Sequence, residues 1–405
     1  MIKTEGGICA AKGFKAAGIH CGIRKNKSKR DLALIMSEVK ASAAATYTTN
    51  LVKGAPITVT KENIADGYAQ AVICNSGNAN TCNANGIEIA EAMCSLCEQF
   101  TGVEATDVIV ASTGVIGQPL DIKPIANGME ALVNDLTDEG SLRAAEGIMT
   151  TDTRVKEIAF KFNVGGKECT IGGIAKGSGM IHPNMATMLV FITSDVAIKP
   201  EILQTALSAD IQDSFNMVSV DGDTSTNDMC CVLANGMAGN EVIDSVDSEG
   251  YKAFCEALFA VTSYLCRMIA RDGEGATHLM EVNVSGAATK EIAKTVAKSV
   301  ACSSLLKAAI FGADANWGRV LCAIGYSGAD LDVNKVGVSF KSTAGTIEVC
   351  RNGAGVDFSE EIAKQILLQE EVQILITLDS GDSEATAWGC DLTYDYVKIN
   401  GDYRT

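Results

Sequence analysis

The stretch "IAKGSGMIHPNMATMLVFITSDV", residues 174–196, sets a lysine, glycines and a serine, then His182-Pro183-Asn184, ahead of an apolar run. That run, Met188 to Val196, is short, apolar and rich in β-branched and aromatic residues, and it reads as a strand. Thr187 stands where the glycine-rich loop ends and the strand begins, directly behind the small Ala186. Further strands are expected at "QAVICNSG" and "DVIVASTG", and helices at "GIEIAEAMCSLCEQF" and "EILQTALSADIQDSF". The long stretch "GYKAFCEALFAVTSYLCRMIARDGEG" has helical spacing and closes on glycines, as a helix C-terminus does. "HLMEVNVSG", "VGVSF", "GTIEVCRNG" and "EVQILITLDSG" add strands near the C-terminus. The class is therefore α/β with mixed α+β layers, divided softly near 280–290 into a main region 1–285 and a smaller C-terminal α/β region 286–405.

A chain of 405 residues is long enough for two or three domains and a large core. Its formal charge of −17 argues against binding a phosphate backbone, so no nucleic-acid partner is expected. The fifteen cysteines are scattered through apolar segments, which points to buried reduced thiols. The N-terminal residues lack the order of a signal peptide, and no apolar run reaches the length of a membrane span, so a cytoplasmic protein without a membrane partner is expected. Five prolines against thirty-nine glycines leave most bends to glycine.

Few ordinary catalytic arrangements are available. There are three histidines; His20 and His278 have no obvious triad neighbours, and His182 adjoins Pro183. Cys94 and Cys97 form the lone C-x-x-C, without a second ligand pair, so packing is expected there and no metal. Ser37 with Lys40 and Ser304 with Lys307 match S-x-x-K without companion motifs, and are taken as chance matches on helices. A Walker A motif and a complete G-x-G-x-x-G are absent.

Hydroxyl chemistry without histidine remains. A threonine at a chain N-terminus has a base of its own, because a free α-amine titrates near pH 8, far closer to neutrality than a side-chain hydroxyl. Thr187 meets this condition if the chain is cut between Ala186 and Thr187. Gly177 and Gly179 permit unusual backbone angles, Pro183 stiffens the approach, and Ala186 leaves its carbonyl open to attack. The plainer alternative is a glycine-rich turn entering an ordinary strand.

The segment "KGSGMIHPNMATML" resembles the self-cleavage segment of the ornithine acetyltransferase family, the bifunctional glutamate N-acetyltransferases of arginine biosynthesis. "NSGNANTC", "ASTGVIGQPL", "MTTDT", "DGDTSTND", "GADANWGR" and "VKINGDYRT" extend the resemblance over essentially the whole chain. The resemblance implies a self-processing, threonine-nucleophile acyltransferase fold with sheets packed between helices. It implies an α chain 1–186 and a β chain 187–405 that pair into a heterotetramer of two of each. Thr187 would be the nucleophile, Thr113 and Gly114 the oxyanion hole, and Thr150, Lys176, Thr187, Glu274, Asn400 and Thr405 the substrate contacts. The acetyl group of N-acetylornithine would pass to glutamate through an acetyl-threonine ester in ping-pong order, with no cofactor. Acetyl-CoA as a further donor stays open, since no motif reports it. A self-processing aminopeptidase or amidase is the competing enzymatic reading, and a metabolite-binding or scaffold protein the non-enzymatic one. No role is assigned to "GADANWGR", and "DGDTSTND" is expected to be turn and helix-entry chemistry near the site.

Overall fold

Nine strands make the larger sheet of the computed structural model, which describes residues 1–182 and 188–401. They are β1 (Ile2–Thr4), β2 (Phe14–Ile19), β3 (Leu32–Tyr47), β4 (Tyr68–Asn78), β5 (Val108–Val115), β6 (Lys156–Val164), β7 (Lys167–Lys176), β8 (Leu189–Ser194) and, after β9 in the other sheet, β10 (Met229–Ala234). They lie in the order β1-β6-β7-β8-β10-β3-β4-β5, with β2 on β3. The seven-stranded sheet takes β9 (Val218–Ser219), β11 (Leu279–Ala287), β12 (Gly337–Ser342), β13 (Gly345–Arg351), β14 (Ala354–Gly355), β15 (Glu371–Thr377) and β16 (Ser383–Cys390), in the order β14-β13-β12-β15-β11-β16-β9.

The run that opened the sequence reading is β8, and its composition follows from its neighbours. It pairs in parallel with β10 and antiparallel with β7. Val190 and Ile192 face a core shared with helices Pro200–Asp213 and Glu249–Arg271. Leu189 and Phe191 face a second core with Phe14, Ile35 and Ile148. A strand covered on both faces has no polar side to show, so alternation disappears. Helix Gly86–Thr101 covers β4 and β5, helix Ile122–Asn134 packs on it and on β2 and β3, and Cys94 and Cys97 lie inside that third core.

Helix Glu249–Arg271 ties the two sheets together. It packs on β6 and β7 of one sheet and on β11 and β16 of the other. By length and composition it is the one helix among the described residues that passes for a membrane span. Its Phe254, Leu258, Val261 and Leu265 are nevertheless fully buried in the protein's own core. The division expected at 285/286 falls inside β11, and the two-residue β9, far upstream, joins the C-terminal sheet through Val218 and Ser219. Ser37 and Lys40 lie in β3, a strand rather than a helix, whereas Ser304 and Lys307 do sit on helix Ser304–Phe311. All fifteen cysteines are free.

Candidate active site

At the ends of β4, β5, β7 and β10 lies a cavity of about 310 Å³. Thr113, Gly114, Thr150, Lys176, Glu274 and Asn400 line it together, although they come from five places in the chain. Ala186, Thr187 and Thr405 lie outside the described residues, as do Pro183 to Met185.

One wall is set by backbone. Thr113 and Gly114 end β5, where a bulge lets Asn78 of β4 oppose both Thr113 and Val115. Gly114 has φ of 134°, and a Cβ there would sit 2.5 Å from Asn78 N and closer still to the Gly77 carbonyl, so no other residue fits without opening the strand pair. The Thr113 hydroxyl takes no hydrogen-bond partner among the described residues, which leaves it available to the cavity. Asn227 holds this strand end to the loop 221–228: its Nδ2 donates to Ser112 O at 3.0 Å, and its Oδ1 accepts from Thr81 Oγ1 at 2.6 Å.

The opposite wall is set by side chains. Glu274 lies in the turn after helix Glu249–Arg271 and is 9% exposed. Its Oε2 accepts from Asn400 Nδ2 at 2.8 Å, on the C-terminal helix Tyr394–Gly401. A Cβ on Gly179 would overlap the Glu274 carboxylate, which explains a glycine at that point of the loop. Lys176 ends β7 and makes no ion pair among the described residues, yet its charge reaches Asp152 and Asp228.

A buried ion triad underlies the second wall, between Thr150, the end of β7 and the turn that carries Glu274. Lys156 Nζ lies 2.7 Å from Asp152 Oδ1 and 2.5 Å from Asp272 Oδ2, all three side chains being nearly inaccessible. Asp152 accepts from the backbone of Thr150 at 2.9 Å and of Gly177 at 2.8 Å. Asp272 accepts from the backbone of Thr153 and Arg154, and its own carbonyl takes the Ser178 hydroxyl at 2.7 Å. Burial alone would raise the Asp152 carboxyl, but the charges of Lys156 and Lys176 and its hydrogen bonds hold it well below the usual carboxylate range.

The loop 221–228 and the first residue of β10 grip the two flanks of the segment that carries Ala186 and Thr187. Asp221 accepts from Met180 N at 2.7 Å and Ile181 N at 2.9 Å, and Thr224 Oγ1 donates to His182 O at 2.8 Å. Beyond the segment, Met229 N donates to Met188 O at 2.8 Å. This gives "DGDTSTND" a use that sequence reasoning left unassigned. It leads into strand β10, not into a helix. The sequence signal was weak, because "MCCVLA" contains a single β-branched residue.

The histidines have partners that the sequence did not show. His20 Nδ1 lies 3.1 Å from Asp31, and His278 Nδ1 lies 3.0 Å from Asp391 and 2.9 Å from the Thr277 hydroxyl. In the second case hydroxyl and carboxylate share one nitrogen, so no relay runs through the ring. His182 Nδ1 lies 3.1 Å from Ser219 Oγ, and burial together with the charge of Lys298 lowers its pKa to about 4.

A family model described as the ArgJ family matches residues 15–405. Over 406 residues the chain is 50% identical to the arginine biosynthesis bifunctional protein ArgJ of Caldanaerobacter subterraneus subsp. tengcongensis, covering 100% of both chains. It is 51% identical over 407 residues to the protein of the same name from Symbiobacterium thermophilum, again over 100% of both. Among solved structures, the arginine biosynthesis bifunctional protein argJ from Bacillus halodurans matches at a TM-score of 0.50 and 45% identity. That match covers 53% of this chain and 98% of the other.

Proposed function

That the chain belongs to the ArgJ family is the premise from which we propose that it cuts itself between Ala186 and Thr187 and then carries acetyl groups on Thr187. The observation that carries this reading is the convergence of Thr113, Gly114, Thr150, Lys176, Glu274 and Asn400 on one cavity. The solved relative's chain, matched over 98% of its length by 53% of this chain, also suits a second chain that begins at Thr187.

The Thr187 hydroxyl attacks the acetyl carbonyl of N2-acetylornithine while its own α-amine takes the proton. The Thr113 hydroxyl and Gly114 N–H donate to the developing oxyanion, each for about 3 kcal/mol of transition-state stabilisation. Lys176 holds the substrate carboxylate, and Glu274, steadied by Asn400, holds the side-chain ammonium. Thr150 lines the site, and Thr405 belongs to its substrate contacts. Ornithine leaves with the returned proton, and the glutamate amine then takes the acetyl group from the ester. The transfer exchanges one amide for another, so no cofactor is required. The enzyme works in the cytoplasm as a heterotetramer of two α chains, 1–186, and two β chains, 187–405.

Acetyl-CoA as a second donor is favoured by a recess of about 730 Å³ next to the cavity, lined by Arg24, Lys27, Lys29 and Arg30, with Thr151 lining both. In a chain of net charge −17 this is where a phosphate-bearing donor meets cations. Acetylation of glutamate by acetyl-CoA that weakens in Lys27→Glu/Lys29→Glu supports it, and an unchanged rate contradicts it.

Processing is tested by intact mass under denaturing conditions. Two chains are expected, the second beginning "TMLVFITSDV", with Thr187→Ala remaining one chain. A Thr187→Ala protein that is still cut refutes self-cleavage.

A further inference from the structure

Asn227, two residues ahead of β10, is 7% exposed and lines the cavity. Its side-chain amide uses its whole hydrogen-bonding capacity. Nδ2 donates to Ala79 O at 2.5 Å and to Ser112 O at 3.0 Å, while Oδ1 accepts from Thr81 Oγ1 and Thr226 Oγ1, both at 2.6 Å. Carbonyl oxygens only accept, so the nitrogen must face the two backbone carbonyls and the oxygen the two hydroxyls. With two N–H groups and two lone pairs engaged, the amide has none left for a ligand.

The two carbonyls bracket Thr113 and Gly114. Ser112 directly precedes Thr113, and Ala79 donates its own N–H to the carbonyl of Val115, directly after Gly114, at 2.9 Å. One NH2 group therefore holds β5 on either side of these two residues, straight through Ser112 and at one remove through Ala79. Gly54 presses on the same amide: a Cβ there would overlap Asn227 Nδ2 and lie 2.9 Å from Thr81 Oγ1. On the proposed reading Asn227 belongs to the chain 187–405, and Ala79, Thr81 and Ser112 to the chain 1–186. The clamp crosses from one chain to the other.

We infer that Asn227 is a positioning residue for the oxyanion hole, an amide of the β chain that fixes Thr113 and Gly114 of the α chain where their hydroxyl and N–H meet the oxyanion. The inference rests on the oxyanion role proposed for Thr113 and Gly114. Asn227 itself touches no reacting atom. Donors serve a transition state when they are already in place, and a misplacement of about 1 Å costs about 10²-fold in rate. Both acetyl transfers pass through an oxyanion, so both slow together while binding is untouched.

The test is an oxygen-to-sulfur rate ratio: ornithine released in a single turnover of the cut protein from N2-acetylornithine and from N2-thioacetylornithine. Sulfur is a weak acceptor, so ordered oxyanion donors favour the oxygen substrate, and loosening them lowers the ratio. Asn227→Leu keeps a branched side chain and removes both donors. It is expected to lower kcat for N2-acetylornithine by about 10² with KM nearly unchanged, and the ratio by about tenfold. A side chain that merely supports the fold would slow both substrates equally. Gly54→Ala, at a φ of −62° that suits any residue, keeps every hydrogen-bonding group and pushes the amide off its carbonyls. It should lower the ratio as well, and it decides the matter should Asn227→Leu fail to fold or to be cut. Thr113→Ala sets the reference. A ratio lowered there but left at the wild-type value in Asn227→Leu, or in Gly54→Ala in its place, overturns the inference. A wild-type ratio in Thr113→Ala refutes the oxyanion role itself, which is a separate failure.

Discussion

The two walls of the cavity are built by different means. At the end of β5 the positions of Thr113 and Gly114 follow from strand register, a bulge and a backbone angle that only glycine adopts comfortably. Across the cavity, Glu274 and Asn400 hold their places through side chains, from a turn and from the C-terminal helix, joined by one 2.8 Å hydrogen bond. On the proposed reading the first wall meets charge that exists only in the transition state, and the second meets charge the substrate always carries. Rigid backbone serves the former, since donors already in place cost no reorganisation at the moment of reaction. An adjustable carboxylate is enough for the latter. Changes to the first wall should therefore fall on kcat and changes to the second on KM.

The largest effect is expected beneath the second wall, at the triad that ties Thr150 and the end of β7 to the turn that carries Glu274. Lys156→Met leaves Asp152 and Asp272 buried without their cation, a loss of about 3–5 kcal/mol. Urea unfolding should show it in the midpoint, and KM should rise. A variant of wild-type stability would show that the triad does not hold this wall.

Gly114→Ala comes next. The methyl group has no room against Gly77 and Asn78, so β5 must shift away from β4. Loss of one oxyanion donor predicts a fall of about 10² to 10³ in kcat, with KM nearly unchanged. A predominant KM effect would remove Gly114 from the oxyanion role. Glu274→Gln should do the reverse, raising KM for N2-acetylornithine by the value of a charged hydrogen bond, about 1.5–3 kcal/mol, while self-cleavage proceeds. Cleavage lost along with binding would mean that the turn, not the charge, had been damaged.

The smallest effect concerns the flank of the cleavage segment. His182 titrates near 4 in the folded chain against an ordinary 6.5. Between those values the unfolded chain binds a proton that the folded chain refuses, so this contribution is complete above about pH 6.5 and is lost progressively as the pH falls toward 4. Comparing urea midpoints of wild type and His182→Gln across this range should show a steeper decline in wild type. Parallel curves would mean that the ring is not held neutral.

The legible part of the fold is where strands are buried on both faces or a helix is long. The runs that became β4, β5 and β8, and the helix Glu249–Arg271, announce themselves by apolar continuity or period. β9 does not, since two residues carry no period and its pairing with β16 spans a long stretch of chain. Ser37 and Lys40 were misplaced on a helix because an i,i+3 spacing alone does not report conformation, and β3 is formed by its long-range partners. At the site, elementary chemistry singled out Thr187, while Thr113, Gly114, Thr150, Lys176, Glu274 and Asn400 came through family resemblance. Lys156 and Asp272 escaped both. Their importance lies in being buried, and burial of a charged side chain is decided by tertiary packing, not by the residues beside it in sequence.

Mass spectrometry of the mature enzyme mixed with N2-acetylornithine, with glutamate withheld, tests the acetyl-threonine claim most directly. The chain that begins at Thr187 should gain one acetyl group while about one ornithine per site is released and turnover stalls; adding glutamate should remove the acetyl group as N-acetylglutamate. Steady release of acetate without a stable adduct, or an acetyl group on the other chain, would contradict it.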